Sequence, residues 1–458
     1  IEDGLKPVQR RILHTMNEIY NGKFNKGANI VGETMKLHPH GDAAIGSALV
    51  VMANKEYVIE KQGNFGNLLT GDPASAARYI EARLTPLAKE TLFNAELTVY
   101  ADSYDGRNKE PVVLPCKLPL SLLFGAEGIA VGMSTRILPH NINEIIDAQI
   151  AFLQNKSFKL LPDFLSGGML DAGEYEDGNG KVRVRAKIEI TDDKLLTVRE
   201  LPFGVTTESL IQSIQDAVNK GKFKLSSIDN FTAETVEIEL KATRGMDAEK
   251  LLKLLYAFTQ CEVSISVNML LIQDNQPVQL NTSEVLNRNT LRLKDLLKQE
   301  LTLSLQQTKQ KWHQRRMEMY FIGEKLYKKL ETCDSYEEAL QVVRKAVLHI
   351  ESILPFPIEL EDIEKLLTLQ IKRITRYDQK ESQTELDKLK VKISSINKSL
   401  KNITGYTISY LEKNKEKYGS DYPRRTRIKS FDEIRVQDVA EKQKMGWDRK
   451  EGFLGLNV

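Results

Sequence analysis

Three runs of alternating apolar and polar residues stand out in the middle of the chain: "KVRVRAKIEI" (181–190), "TVEIELK" (235–241) and "EVSISVNMLLI" (262–272). A period of two predicts strands. Between them lie the helical segments "TTESLIQSIQDAVNK" and "DAEKLLKLLYAFTQ", so the region from 115 to about 285 reads as an α/β or α+β unit. Residues 1–115 read as mainly helical, punctuated by glycine-rich stretches such as "KQGNFGNLLTGDP" (61–73). Within them "ASAARYIEARL" (74–84) predicts a helix, being alanine-rich with Ile80 and Leu84 four apart.

From Asn289 to Ile322, and again from Ile358 to Thr404, there is neither Gly nor Pro, which predicts long helices. In the second stretch Leu386, Leu389, Ile393, Ile396, Leu400 and Ile403 step by three and four, the seam of a coiled coil. Two long antiparallel helices are expected, with the block 334–357 capping their far end. After "YGSDYPRRTRIK" comes a charged linker, and "KMGWDRKEGFLGLNV" reads as a strand pair.

At 458 residues the chain is long for one core, and two or three domains are expected. Its 41% apolar and 28% charged content is that of a globular protein, and no apolar run reaches bilayer length. A net charge of +2 leaves any contact with nucleic acid to local patches. Cys116, Cys261 and Cys333 are too few and too scattered for a disulfide framework or a cysteine zinc site, as in a reducing cytoplasm. The chain opens on Ile1 in mid-motif, as a fragment would.

Four clusters carry candidate chemistry. In "EDGLKPVQRRIL" (2–13), Pro7 starts a helix, and Lys6, Arg10 and Arg11 gather near its N-terminal end, either as phosphate ligands or as a solvated basic face. In "LHPHGDAAIGSALVVMAN" (37–54), a short helix, a turn and a small-residue helix capped by Asp42 suit insertion into a DNA groove. His38 and His40 have no third ligand nearby and read as phosphate-facing or proton-handling groups. In the third cluster the Tyr79 phenol, with an ordinary pKa of ~10, needs stabilisation to act as a nucleophile, and the Arg78 guanidinium beside it supplies part of that. Taken alone, Arg78-Tyr79 is a surface turn with an aromatic anchor. In "FGAEGIAVGMSTRILPHN" (124–141), Ile129 and Val131 stand between glycines, which alone reads as a buried strand edge. No Walker A loop, H-E-x-x-H or D-x-D carboxylate pair occurs, so phosphoryl transfer here would take its metal from elsewhere.

In this order, "DGLKPVQRR", "HPHGDAA", "QGNFG…GDPASAARYIEARL" and "GIAVGMST…LPHN" closely resemble the A subunit of bacterial type IIA DNA topoisomerases, gyrase or topoisomerase IV, over essentially the whole chain. The resemblance implies that Tyr79 attacks a DNA phosphate to form a 5′-phosphotyrosyl link with Arg78 as its electrostatic partner. His38 and His40 would line the scissile phosphate, Lys6, Arg10 and Arg11 would hold the backbone, and Ile129 would wedge between base pairs. The fold it implies is multidomain α+β. A winged-helix DNA-gate domain (1–115) precedes an α/β tower (116–288). A long antiparallel coiled coil follows, ending in a small helical C-gate that joins two copies (289–420). The remainder (421–458) would be a linker and the start of a β-pinwheel. ATP and Mg²⁺ would be held by a B subunit in an A2B2 complex acting on double-stranded DNA, chromosome-associated in the cytoplasm. Sequence flavour, including "IKRITRYD", leans to topoisomerase IV over gyrase. A non-catalytic winged-helix DNA-bending protein is the rival class, and it has no need of Arg78-Tyr79.

Three departures from the family's pattern matter. The chain begins after the family's arginine-bearing N-terminal arm, and Ala77 and Ile80 replace the common Met and Thr beside the catalytic pair. Ala43 and Ser47 occupy the positions, typically Ser and Asp or Glu, through which quinolones are anchored by a water-coordinated Mg²⁺.

Overall fold

The computed structural model describes residues 1–369, 379–432, 445–448 and 453–456. They divide into two compact units, Ile1–Arg292 with Leu411–Val458, and Leu293–Tyr410.

The first unit begins with α1 (Pro7–Glu18), β1 (Asn25–Lys26), α2 (Gly27–Thr34), α3 (Asp42–Ala53), β2 (Ile59–Gln62) and β3 (Glu81–Leu84). Pro7 suits the first turn of α1, where its missing N–H costs no hydrogen bond, and the Lys6 N–H just before it donates to Gln9 Oε1 at 2.9 Å. The three helices bury Ile12, Leu13, Ile30, Ile45, Leu49 and Met52. The cap of α3 is Gly41, and Asp42 is the first helical residue instead, with its carboxylate in the first turn.

The stretch 74–84 is not a helix. It is a turn at Ala77–Tyr79 running into β3, the central strand of a three-stranded sheet, β1-β3-β2. Ile80, Ala82 and Leu84 are all buried, a period of two. An apolar pair at i and i+4 satisfies both the helical and the strand period, and cross-strand pairing decides between them. Glu81 lies opposite Lys26 and bonds it at 2.6 Å, and Arg83 lies opposite Glu60 and bonds it at 2.6 Å.

The chain continues through α4 (Pro86–Thr91), β4 (Tyr100–Asp102), β5 (Lys109–Pro111), α5 (Leu120–Phe124), β6 (Ala126–Ala130), β7 (Met133–Ile137), α6 (Ile142–Leu153) and β8 (Met169–Asp171). Next come β9 (Lys181–Arg185), β10 (Lys187–Asp192), β11 (Leu195–Glu200), α7 (Thr207–Asn219), β12 (Leu225–Asn230) and β13 (Ile238–Ala242). Then follow α8 (Ala248–Phe258), β14 (Glu262–Ser266), β15 (Leu270–Gln273) and β16 (Gln276–Gln279). The strands and helices expected in this region form, but the run 181–190 divides at Ala186 between two sheets. β9 joins β8 and β14, while β10 opens the order β10-β11-β13-β12. α7 and α8 cover that second sheet, burying Leu210, Ile214, Leu251 and Leu255 with Leu196, Val198, Ile238 and Leu240.

His140 is buried within this unit. Its Nδ1–H donates to the Leu122 carbonyl at 3.2 Å, and its Nε2 accepts from the Tyr175 hydroxyl at 3.1 Å. Burial pushes its pKa down to about 4. The unfolded chain, with a histidine near 6.5, binds the extra proton first, so this contribution is complete above about pH 6.5 and is lost as pH falls toward 4. We expect about 3 kcal/mol to disappear across that window. Urea midpoints measured at pH 7.5 and 4.5 check this, since His140→Gln should flatten that part of the dependence; an unchanged slope would assign the acid sensitivity elsewhere.

In the second unit, α9 (Thr282–Gly323) continues from the first and pairs with the helices Gln379–Lys401 and Ile403–Tyr418. Arg315 bonds Glu385 at 2.9 Å, the Lys390 ammonium lies 5.7 Å from the Trp312 ring, and Glu300 acts on Tyr406. One set of numbers rises as the other falls, so the helices are antiparallel. Leu386 and Ile396 are buried and the other seam residues half-buried. The small block that caps them includes α10 (Tyr336–Val347) and α11 (Leu360–Leu367), packing Val343, Val347, Ile363 and Leu366 on Met317 and Phe321.

The chain then rejoins the first unit, where β17 (Arg427–Ile428) runs parallel to β8. Phe431 lies under the guanidinium groups of Arg183 and Arg185, 5.6 and 4.2 Å from its ring centre. Met445–Asp448 and Phe453–Leu456 form the expected antiparallel strand pair. Most of the charged linker and all of "IKRITRYD" lie outside the described residues. Among the described residues no helix is long and apolar enough to cross a membrane.

Candidate active site

The turn bearing Arg78 and Tyr79 is pinned to the start of α2. The Gly27 N–H donates to the Ile80 carbonyl at 2.8 Å and the Ala28 N–H to the Ala77 carbonyl at 2.9 Å. The approach is so close that a Cβ on residue 27 would stand 2.8 Å from the Ala77 oxygen, which only glycine avoids. Ile80 is buried beneath, so backbone bonds and a core anchor fix the turn while Tyr79 remains 63% exposed. The Arg78 guanidinium lies 4.6 Å from the Tyr79 ring centre. At that distance the permanent cation lies against the ring, and its guanidinium N–H groups are of the kind that bond phosphate.

A second cluster forms where α1 meets the α2–α3 turn. The Arg11 guanidinium donates to His38 Nδ1 at 2.9 Å and also clasps the Glu110 carboxylate through two nitrogens. Because Nδ1 accepts, neutral His38 carries its proton on Nε2. Burial, then the neighbouring Arg11 and His40, hold its pKa below the ordinary histidine value. The His40 ring meets that of His38 edge-on, 5.0 Å between centres, and is itself exposed. No hydrogen bond, ion pair or ring contact joins this cluster to Tyr79 among the described residues.

Arg10 faces inward, bonding the buried Asp3 carboxylate at 2.6 and 3.0 Å. The Lys6 ammonium donates to the Glu127 carbonyl at 2.7 Å. Asp3 and Glu110 are absent from the candidate residues read in the sequence. Asp3 adjoins the basic run and could have been suspected, whereas Glu110 stands 99 positions from Arg11 with no local signal.

Ile129 is not a buried strand edge. β6 and β7 form a projecting hairpin whose turn uses Gly132 at φ +72°, leaving Ile129 90% exposed and Val131 fully exposed. An isoleucine held in water on a rigid hairpin is an apolar probe. Ala43 and Ser47 are exposed four residues apart, on one face of α3.

Residues 1–412 match the family formed by the A subunits of DNA gyrase/topoisomerase IV. The chain belongs to this family of DNA topoisomerase subunits. It is 46% identical to the DNA topoisomerase 4 A subunit of Borreliella burgdorferi, over the whole chain and 73% of that protein. It is 32% identical to the DNA gyrase A subunit of Leptospira biflexa over 86% of the chain, and 31% identical to that of Lawsonia intracellularis over 96%. The chain spans 50% and 56% of those two gyrase subunits.

Proposed function

We propose that this chain is the DNA-cleaving A subunit of a type II topoisomerase, of the topoisomerase IV kind, with Tyr79 as its nucleophile. The observation that carries the proposal is the exposed Tyr79 phenol on a fixed turn beneath the Arg78 guanidinium. The Tyr79 oxygen attacks a DNA phosphorus as its proton leaves. The bond from phosphorus to the 3′ oxygen breaks, that oxygen takes up a proton, and the 5′ phosphate stays on the tyrosine. The 3′ hydroxyl reverses the step, since the ester bond is exchanged and never hydrolysed. Arg78 steadies the developing charge, and His38 offers its Nε2–H to a phosphate oxygen.

In this reading α1–α3 and the β1-β3-β2 sheet are a winged-helix DNA gate, and 116–288 form the tower. Exposed Ile353, Phe356 and Leu360 on the small helical block support a C-gate contact between two copies. Among the described residues no three His, Cys, Asp or Glu side chains stand together as a metal site. The described residues thus offer no complete Mg²⁺ site of their own, and we assign Mg²⁺ and ATP to a B subunit in an A2B2 complex. The topoisomerase IV assignment rests on the 46% identity, higher than to the two gyrase subunits. The test is direct: mix chain, B subunit, DNA and Mg²⁺, stop with detergent, and look for protein on 5′ ends. Bent DNA without attached protein would support the rival bending reading.

Ala43 and Ser47 bear on drug response. A methyl and a neutral hydroxyl replace the hydroxyl and carboxylate that orient metal-bound water in the family. Losing a charge-assisted hydrogen bond costs ~1.5–3 kcal/mol, roughly ten- to a hundredfold in affinity. The enzyme is expected to cleave normally yet respond poorly to quinolones, with Ala43→Ser plus Ser47→Asp restoring sensitivity. Trapping of cleaved DNA by the parent enzyme at low quinolone concentration would contradict this.

A further inference from the structure

The hairpin that carries Ile129 cannot act as a wedge unless its base is held. A two-stranded hairpin is marginal in water, and parting a base step costs a few kcal/mol that would otherwise bend the hairpin back. The structure shows what holds it. β7 is tied to the segment between β14 and β15 at three successive residues, and Asn268 lies at the centre.

Asn268 forms an isolated antiparallel bridge with Arg136: the Arg136 N–H donates to the Asn268 carbonyl at 2.8 Å, and the Asn268 N–H donates to the Arg136 carbonyl at 3.1 Å. The Thr135 hydroxyl donates to the same Asn268 carbonyl at 3.2 Å. The Asn268 side-chain amide reaches furthest toward the tip, donating to the Ser134 carbonyl at 2.7 Å. Ser134 is the residue directly opposite Ile129 in the hairpin register. Gln279 Nε2 donates to Asn268 Oδ1 at 3.3 Å, which fixes which end of the amide faces Ser134. Asn268 is itself immobilised, because Val267 and Met269 on either side are buried and their backbones bond Gly180 and Leu280.

We propose that Asn268 is a positioning residue for DNA bending: through its amide it locks the strand opposite Ile129, so that the wedge holds its angle against the base stack. This rests on the reading of Ile129 as the wedge. Lys6, whose ammonium bonds the Glu127 carbonyl on β6, steadies the other strand of the same hairpin.

The test is FRET-measured bending of a doubly labelled duplex by the chain reconstituted with a B subunit. Asn268→Ala should reduce the ratio of bent to unbent DNA about fivefold, the worth of one hydrogen bond, with cleavage falling in parallel. Asn268→Asp keeps the size and the Gln279 contact but loses the donor. It should show the same loss, and it carries the test if the alanine variant does not fold. In an Ile129→Ala background either change should be silent, a result that a merely structural role would not give. Unchanged bending in both Asn268 variants, in an assay where Ile129→Ala loses bending, overturns the proposal. So does a loss that adds to that of Ile129→Ala. If Ile129→Ala itself bends DNA normally, the wedge reading falls and the positioning role falls with it.

Discussion

Tyr79→Phe is expected to abolish covalent attachment to DNA while folding and DNA binding stay close to those of the parent chain. The substitution removes one oxygen from an exposed ring and keeps the Arg78 contact with the ring face. The hydroxyl bonds no other described residue, so nothing in the turn depends on it. Detergent-trapped complexes would report the loss, and thermal melting with filter binding would report what is retained. Residual 5′-linked protein in the Phe variant would move the nucleophile elsewhere.

The largest effect on stability is expected at Asp3. Its carboxylate is buried, grips Arg10 through two nitrogens and accepts from the Leu5 and Leu114 backbones at 3.1 Å each. Asp3→Ala would strand a largely enclosed guanidinium and leave the Leu114 N–H unpaired. Breaking such a pair from one side costs ~3–5 kcal/mol, more than most single substitutions. Asp3→Ala with Arg10→Met should recover much of the loss, since removing both charges leaves none uncompensated. Equilibrium unfolding of the single and double variants measures this. A double variant no better than Asp3→Ala would show that the backbone bonds, not the charge pair, carry the stability.

Much of the architecture was legible because it rests on periodicity. The alternation in 235–241, the Gly- and Pro-free length of α9 and the seam from Leu386 to Ile403 each point to one structure. The errors fell where local pattern is degenerate. Ile80 and Leu84 satisfy two periods at once, and the choice was made by Lys26 and Glu60 on neighbouring strands. Ile129 and Val131 look like core by composition, but a two-residue turn at Gly132 turns them outward. The Arg78-Tyr79 pair and the two histidines were readable as motifs. Glu110, which occupies Arg11, was not, because pairing across the fold leaves no trace in local spacing, whereas Asp3 lies only seven residues from its partner Arg10.

The parallel pairing of β17 with β8 has a consequence for how the molecule is made. During synthesis β8 emerges more than 250 residues before its neighbour, with the entire second unit translated in between. Until then one side of β8 is an open edge, the kind of surface on which nascent chains join strand to strand. The wait costs little entropy, since loop closure grows only with the logarithm of length, but it costs time. A chain whose synthesis stops within the second unit would therefore carry a nearly finished first unit with that edge still open. Pairing of Arg427 and Ile428 with Met169 and Leu170 is what covers that edge.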